Sequence, residues 1–127
     1  EYMAQPFLEQ ICTEGEYSLF LFGGELSHAV RKVPKAMDFR VQEEHGARIL
    51  AVTPEADLVE ACERVMTALG SAPLYARVDL VRGEASPLLM ELELIEPSLY
   101  FDFDPDSPQR FAEAFAAHMD NPATTAT

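Results

Sequence analysis

Two short segments of the chain carry acidic and basic residues at a spacing that suits metal or phosphate chemistry. Segments 75–80 and 90–97 both alternate polar with apolar residues, which is typical of strands with one charged face and one apolar face. Between them lie Gly83 and Pro87, which predict a tight reversal of the chain. We therefore expect the two segments to pair as an antiparallel hairpin.

A hairpin centred near Ala85 places Asp79 opposite Glu91 and Arg77 opposite Glu93. Residues that face each other across an antiparallel pair project from the same side of the sheet, and like charges there cost about 0.2–1 kcal/mol per pair. A divalent cation would remove that cost, and hard ions such as Mg²⁺ prefer oxygen ligands. The pattern predicts metal ligation by Asp79, Glu91 and Glu93. The alternative is an exposed strand face where Arg77 pairs with Glu93 and nothing binds.

Composition limits the classes of partner. The 127 residues suffice for one domain. Acidic residues outnumber Lys and Arg by 22 to 9, giving a net charge of −13, which argues against nucleic acid or an anionic membrane as a partner. The two cysteines are far apart and have no zinc or disulfide spacing, which fits a reducing, cytoplasmic location. No apolar run approaches the roughly 20 residues of a membrane span.

The few basic residues are informative in so acidic a chain. Lys32 ends a predicted strand and Arg40 lies in a polar segment, residues 34–48, which we expect to be functional or mobile. Together with Arg77 they suit a polyphosphate bridged by Mg²⁺, although simple solvated charges are the alternative. The sequence contains no phosphate-binding loop of the Gly-x-x-x-x-Gly-Lys-Ser/Thr type and no Gly-x-Ser-x-Gly motif.

The order of the predicted elements indicates the fold class. Aromatic and aliphatic segments at 17–22 and 25–33 predict a first hairpin, and Thr53-Pro54 predicts the start of a helix that Gly70 ends. After the charged hairpin, Ser107-Pro108 predicts a second helix. Its expected buried face carries Phe111, Phe115 and Met119. We expect an α+β fold, an antiparallel sheet with helices packed on one face.

The charged hairpin resembles the metal-binding end of the ATP-grasp ligases. That family shows Arg-x-Asp or Asp, then Glu-x-Asn followed by Pro, and this chain has Arg77-Val-Asp79, Glu91-Leu-Glu93 and Pro97. Glu93 replaces the usual Asn, which keeps an oxygen ligand and adds a negative charge. The segment 38–46 together with 90–99 is most similar to glutathione-synthetase-like members, which include a cyclo-ligase of the cycloserine pathway.

Upstream residues extend the resemblance over roughly residues 3–118. The segment with Gln5, Phe7 and Leu8 resembles the hinge strand that holds adenine, and Glu16 resembles the carboxylate that takes the ribose hydroxyls. The resemblance implies catalytic roles near the phosphates for Lys32, Arg40 and Arg77.

The resemblance implies an ATP-dependent carboxylate–amine (or thiol) ligase that acts through an acyl phosphate, with ATP and Mg²⁺ (or Mn²⁺) as cofactors. The lysine-bearing, glycine-rich segment of that family is not in this sequence. We therefore expect residues 1–120 to be a C-terminal ATP-grasp subdomain of a larger protein that is inactive alone. Residues 121–127 are expected to be a disordered tail. Expected partners are a small-molecule carboxylate and amine, and a homo-oligomer is compatible with the sequence. Two alternatives remain: a non-catalytic nucleotide-binding regulatory module and an acidic protein-interaction domain.

Overall fold

The core of the fold is a five-stranded antiparallel sheet. The computed structural model describes residue 2 and residues 6–35 and 46–120. The strands are β1 (Glu16–Phe22), β2 (Glu25–Val33), β3 (Arg48–Val52), β4 (Tyr75–Arg82) and β5 (Pro87–Glu93). Their order across the sheet is β3-β2-β1-β4-β5, and every neighbouring pair is antiparallel. The helices are α1 (Gln10–Thr13), α2 (Ala56–Leu69) and α3 (Ser107–Asp120). The predicted α+β class is confirmed.

One face of the sheet packs against helix α2. Leu58, Ala61 and Cys62 of the helix are buried against alternate residues of β1 and β4, including Leu19 and Val78. Gly70 ends α2 as predicted, in a left-handed conformation with φ 74°, which glycine adopts without steric cost. Burial raises the pKa of the Cys62 thiol to about 11, so this cysteine acts as a core residue.

The opposite face is apolar at its two ends. At one end Ile11 of α1 packs with Val81, and at the other the ring of Phe111 in α3 lies 5.2 Å from that of Phe22, between centroids. The helices therefore lie on both faces of the sheet rather than on the one face expected, because α3 contacts the side of β1 that α2 does not cover. Between these two apolar ends, the same face carries charged side chains.

Three local expectations differ from the structure. Strand β3 was not predicted, since we expected a polar segment through residue 48. Helix α2 begins at Ala56 rather than at Pro54, because Glu55 is extended. Phe115 and Met119 were predicted to be buried but are 47% and 62% exposed, since no described element packs over that side of α3. The predicted mobility of 34–48 concerns mainly residues 36–45, which lie outside the described residues, as does the predicted tail 121–127.

Candidate active site

Strand register brings six charged side chains to one face of the sheet. Glu16 pairs with Lys32 across β1 and β2, while Asp79 pairs with Glu91 and Arg77 with Glu93 across β4 and β5. Ser18 of β1 pairs with Asp79 and so joins the two groups. We call this set the charged cluster, and its members are Glu16, Lys32, Arg77, Asp79, Glu91 and Glu93. The predicted hairpin register is confirmed, and a bulge after Asp79 shifts the pairing only beyond the cluster.

Arg77 lies at the centre of the three predicted metal-binding carboxylates. Its Nε and Nη2 both donate to Asp79, with Nη2 at 2.9 Å from Oδ2. The same Nη2 is 2.6 Å from Glu93 Oε1 and 3.3 Å from Glu91 Oε2. The three carboxylates therefore converge, as predicted, and the group that they share in this structure is the guanidinium of Arg77.

Asp79 is the most deeply buried acid of the charged cluster. It is 1% exposed, and besides Arg77 it accepts a 2.5 Å hydrogen bond from Ser18 Oγ. Lys32 Nζ lies 3.6 Å from its Oδ1. Because an unpaired buried carboxylate costs several kcal/mol, these partners offset the cost of burying the Asp79 side chain.

Glu16 and Lys32 bind each other at the buried side of the charged cluster. Lys32 Nζ lies 3.1 Å from Glu16 Oε1, and the two residues are 5% and 7% exposed. Burial raises the pKa of Glu16, and the ammonium of Lys32 opposes that rise. The roles predicted for Glu16 at the ribose and for Lys32 near the phosphates remain predictions.

The charged cluster opens to solvent at strand β5. The side chain of Asp79 is 2% exposed, that of Glu93 29% and that of Glu91 57%. Burial and the neighbouring carboxylates of Glu93 and Asp79 raise the pKa of Glu91. Burial alone would lower the pKa of Arg77, but Asp79, Glu93 and Glu91 outweigh it and raise that pKa. We call the more exposed part of the cluster, Glu91 and Glu93 on β5, the open rim. It is electronegative even with Arg77 in place.

The residues of the open rim fit a hydrated divalent cation. Two cations and four carboxylates give the charged cluster a formal charge of −2, which one such ion would balance. Within the described ranges, no three acidic, His or Cys side chains form a cage for a metal ion. Mg²⁺ does not need one, since it commonly binds through one or two carboxylates, waters and substrate phosphates. Glu91 and Glu93 can supply those carboxylates. Asp79 is hydrogen-bonded to Arg77 and Ser18, and metal ligation by Asp79 remains a prediction.

The predicted adenine hinge is only partly described. Phe7 is 62% exposed, and Leu8 packs beside Ile11 and Val81 near one edge of the charged face. Gln5 and Arg40 lie outside the described residues, so their predicted roles in adenine and phosphate binding have no structural account.

Sequence reasoning missed three residues beside the charged cluster: Ser18, His28 and Tyr100. Ser18 is the polar residue within an otherwise aromatic and aliphatic strand, and His28 lies four residues before Lys32 on β2, so alternation alone could have placed both on the charged face. No local pattern indicates Tyr100, which reaches the face from the segment after β5.

Comparison with known proteins agrees with the sequence resemblance. The fold is that of the ATP-grasp ligases: the chain superposes on an ATP-grasp ligase, PsnB, with a TM-score of 0.52 at 17% identity, covering 80% of this chain and 31% of that one. It also superposes on D-alanine–D-alanine ligase from Bacillus anthracis with a TM-score of 0.54 at 18% identity, covering 83% of this chain and 36% of that one. No protein-family model matches the chain.

Sequence similarity adds homology to a particular relative. The chain is 37% identical over 129 aligned positions to the cycloserine biosynthesis protein DcsG of Streptomyces lavendulae, covering 91% of this chain and 41% of that protein. The crystal structure of D-cycloserine synthetase DcsG superposes with a TM-score of 0.72 at 32% identity over the same shares. The predicted relationship to ATP-grasp ligases is confirmed, and the chain spans less than half the length of these relatives.

Proposed function

We propose that this chain is the C-terminal ATP- and Mg²⁺-binding part of a cytoplasmic ATP-dependent ligase that joins a small carboxylate to an amine or thiol. The observation that supports the proposal is the charged cluster. Its net charge is negative, Asp79 is buried, and Glu91 and Glu93 are open to solvent. Among the described residues, no helix is long and apolar enough to cross a membrane.

Each part of the charged cluster has a distinct proposed role. Glu91 and Glu93 would hold Mg²⁺, which when bound neutralises charge on the phosphates of ATP. Asp79 fixes Arg77 through two guanidinium nitrogens, so that Arg77 presents positive charge beside the metal. Lys32, paired with Glu16, would add positive charge near the phosphates, and Arg40 would approach them from the segment 34–48. Glu16 would bind the ribose hydroxyls. The adenine would lie along Gln5, Phe7 and Leu8.

The proposed reaction requires no protein nucleophile. A substrate carboxylate oxygen attacks the γ-phosphorus of ATP, and the bond to the β-phosphate oxygen breaks to leave ADP. The amine then attacks the acyl carbon, the carbon–oxygen bond breaks, and phosphate leaves while the amine proton passes to solvent. The contribution of the protein is positioning and charge neutralisation, which dominate phosphoryl-transfer catalysis.

Burial of the cluster favours this function over an acidic protein-interaction domain. A surface that only attracts a basic partner has no need to place Lys32, Arg77 and Asp79 under 10% exposure, where each charge costs free energy unless it is paired. A nucleotide-binding regulatory module is the second candidate, because Glu93 in place of Asn adds a charge at the metal rim. Turnover separates the two candidates.

The test compares two isosteric variants of the full-length protein. We expect Glu91→Gln to reduce phosphate release from ATP by about 100-fold or more in assays with common D- and L-amino acids as carboxylates and hydroxylamine as the amine. Glu84→Gln, in the exposed turn of the same hairpin, is the matched control and should leave the rate unchanged. Equal rates for both variants would exclude Glu91 from the site, and a wild-type protein without turnover would favour the regulatory module.

A further inference from the structure

His28 forms a hydrogen-bonded connection between strand β2, helix α3 and the segment after β5. The ring is buried, with Nε2 2.9 Å from the carbonyl oxygen of Leu99 and Nδ1 3.0 Å from Ser27 Oγ. Arg110 of α3 donates from Nε to the same Ser27 oxygen at 2.9 Å. Because a carbonyl only accepts, Nε2–H donates to Leu99, and Nδ1 of the neutral ring accepts from the Ser27 hydroxyl.

The neutral form of His28 is the form that this environment favours. Burial lowers its pKa. The charged groups that face it are Arg110, which opposes protonation, and Asp104, which favours it and is itself paired with Arg110 at 2.7 Å. The ring also stacks on Phe20 at 4.4 Å between centroids and 12° between planes. Phe20 is the direct cross-strand neighbour of Arg77, so the histidine lies in the same row of the sheet as Arg77 and Glu93.

The residue after Leu99 is in a strained conformation. Tyr100 has φ 49° and ψ 42°, a left-handed region that costs a non-glycine residue roughly 1–2 kcal/mol. This backbone turns its ring towards the charged face, 5.9 Å from the Phe20 ring and 5.9 Å from Lys32 Nζ. Such strain persists only where neighbouring contacts impose it, and the hydrogen bond from His28 acts on the adjacent carbonyl.

We infer that His28 is a positioning residue that fixes Leu99, and with it the strained backbone of Tyr100, so that the tyrosine ring covers Lys32 and holds its ammonium between Glu16 and Asp79. The inference rests on the proposed function for its catalytic consequence. Its geometric part concerns only the contacts of His28, Leu99 and Tyr100. Loss of the hydrogen bond would free the tyrosine ring and let water reach Lys32.

The experiment uses four variants of the full-length protein and one control variant. His28→Phe keeps a ring to stack on Phe20 and removes both hydrogen bonds, while His28→Gln keeps an N–H donor near the position of Nε2. Tyr100→Leu removes the aromatic ring, and a double variant combines His28→Phe with Tyr100→Leu. His118→Phe, the same substitution in helix α3, is the matched control.

The first readout is amide hydrogen exchange without substrates. The amide of Phe103 donates to the Tyr100 carbonyl at 3.0 Å, so it reports the order of this turn. We expect its exchange to quicken about tenfold in His28→Phe, as for the loss of one hydrogen bond, and to recover in part in His28→Gln. Unchanged exchange in His28→Phe would overturn the inference whatever the activity.

The second readout is kcat for phosphate release with Mg²⁺, ATP, hydroxylamine and the amino acid that gives the fastest turnover with the wild-type protein. We expect a decrease of about tenfold to 100-fold in His28→Phe, none in His118→Phe, and no further decrease in the double variant beyond Tyr100→Leu. A purely structural histidine would instead give additive effects, which would overturn the inference. A wild-type protein without turnover would contradict the proposed function. Hydrogen exchange in His28→Phe would then still show whether His28 fixes Leu99 and Tyr100.

Discussion

At the scale of single residues, one guanidinium, that of Arg77, is shared by three carboxylates. Arg77 satisfies Asp79 with two nitrogens and reaches Glu91 and Glu93 with one. Asp79 is thereby a fixed support, while the side chains of Glu91 and Glu93 are 57% and 29% exposed at the rim. Under the proposed function, a cation at β5 would meet side chains already gathered on one face of the sheet.

Removal of Arg77 should damage the fold as well as the site. Arg77→Met keeps much of the apolar stem but leaves Asp79 with only Ser18 and Lys32 as partners. We expect the free energy of unfolding to fall by about 3–5 kcal/mol, the cost of breaking a buried pair, as measured by urea denaturation. Arg64→Met, at an exposed position of α2, is the control and should stay within about 0.5 kcal/mol of wild type. Equal stability of the two variants would contradict the buried pairing.

The buried histidine should give the protein an acid-sensitive stability. Because the folded-state pKa of His28 lies below the ordinary 6.5, the unfolded chain binds more protons than the folded one as the pH falls below 6.5. The stability is therefore fully present above pH 6.5 and is lost as the pH falls towards the folded-state pKa. We expect this part of the pH dependence to disappear in His28→Phe, as followed by thermal melts from pH 7.5 to 5, and to persist in His118→Phe.

At the scale of elements, close approach of the chain explains one glycine beside the site. Gly15, with φ 100°, lies against β2 so closely that an added Cβ would stand 2.3 Å from the Lys32 carbonyl oxygen. Gly70, with φ 74°, has nothing within 4 Å of such a Cβ. A side chain at Gly15 would therefore meet both a steric clash and an unfavourable backbone conformation, whereas at Gly70 it would meet only the unfavourable conformation.

Alanine at these two positions should have unequal costs. We expect Gly70→Ala to lower the free energy of unfolding by about 1 kcal/mol, the conformational cost alone. Gly15→Ala should lower it by more than about 2 kcal/mol and disturb Lys32, because backbone atoms have to move. Urea titrations of both variants supply the measurement, and equal losses would mean that Gly15 does not lie against β2.

Helix α3 offers a comparison between a packed and an exposed ring. Phe111 packs beside Phe22 and Phe101, so Phe111→Ala should cost about 3 kcal/mol of stability. Phe115 is 47% exposed, and Phe115→Ala should change stability by less than about 1 kcal/mol. Thermal unfolding of the two variants would contradict this packing if Phe115→Ala were the more damaging.

Local patterns predicted those elements whose partners are near in sequence. The β4–β5 register follows from a short turn and two alternating strands, and Gly70 is a local stop signal. Strand β3 was missed because the segment 34–47 separates it in sequence from β2, the strand with which it pairs. The helical period of α3 identifies an apolar stripe but does not show which element packs against it. The bond between Ser18 and Asp79 joins residues 61 positions apart, so only the assembled sheet reveals it.

At the scale of the whole molecule, the charged face has one open side. The charged face is filled at both ends by Ile11 and Phe111 and has its open rim at Glu91 and Glu93. The relatives that it matches are more than twice as long, since it spans 41% of DcsG. Under the proposed function, a lysine-bearing segment elsewhere in the protein closes over the phosphates and excludes water.

The isolated chain should therefore be catalytically silent. We expect purified residues 1–127 to release no phosphate from ATP above background and to bind Mg²⁺–ATP weakly, because half of the charge neutralisation is absent. A malachite-green phosphate assay beside the full-length protein provides the measurement. Full activity of residues 1–127 would place the complete active site within this chain and contradict the division proposed above.

The path of one oxygen atom distinguishes activation as an acyl phosphate from hydrolysis of ATP by water. The full-length protein would be given Mg²⁺, ATP, hydroxylamine and amino acids labelled with ¹⁸O in both carboxylate oxygens, and the released phosphate would be analysed by mass spectrometry. Activation as an acyl phosphate transfers one labelled oxygen to each phosphate, so we predict one ¹⁸O per phosphate in wild type and in Glu84→Gln, and little phosphate from Glu91→Gln. Phosphate released without ¹⁸O would come from hydrolysis of ATP by water and would contradict the account.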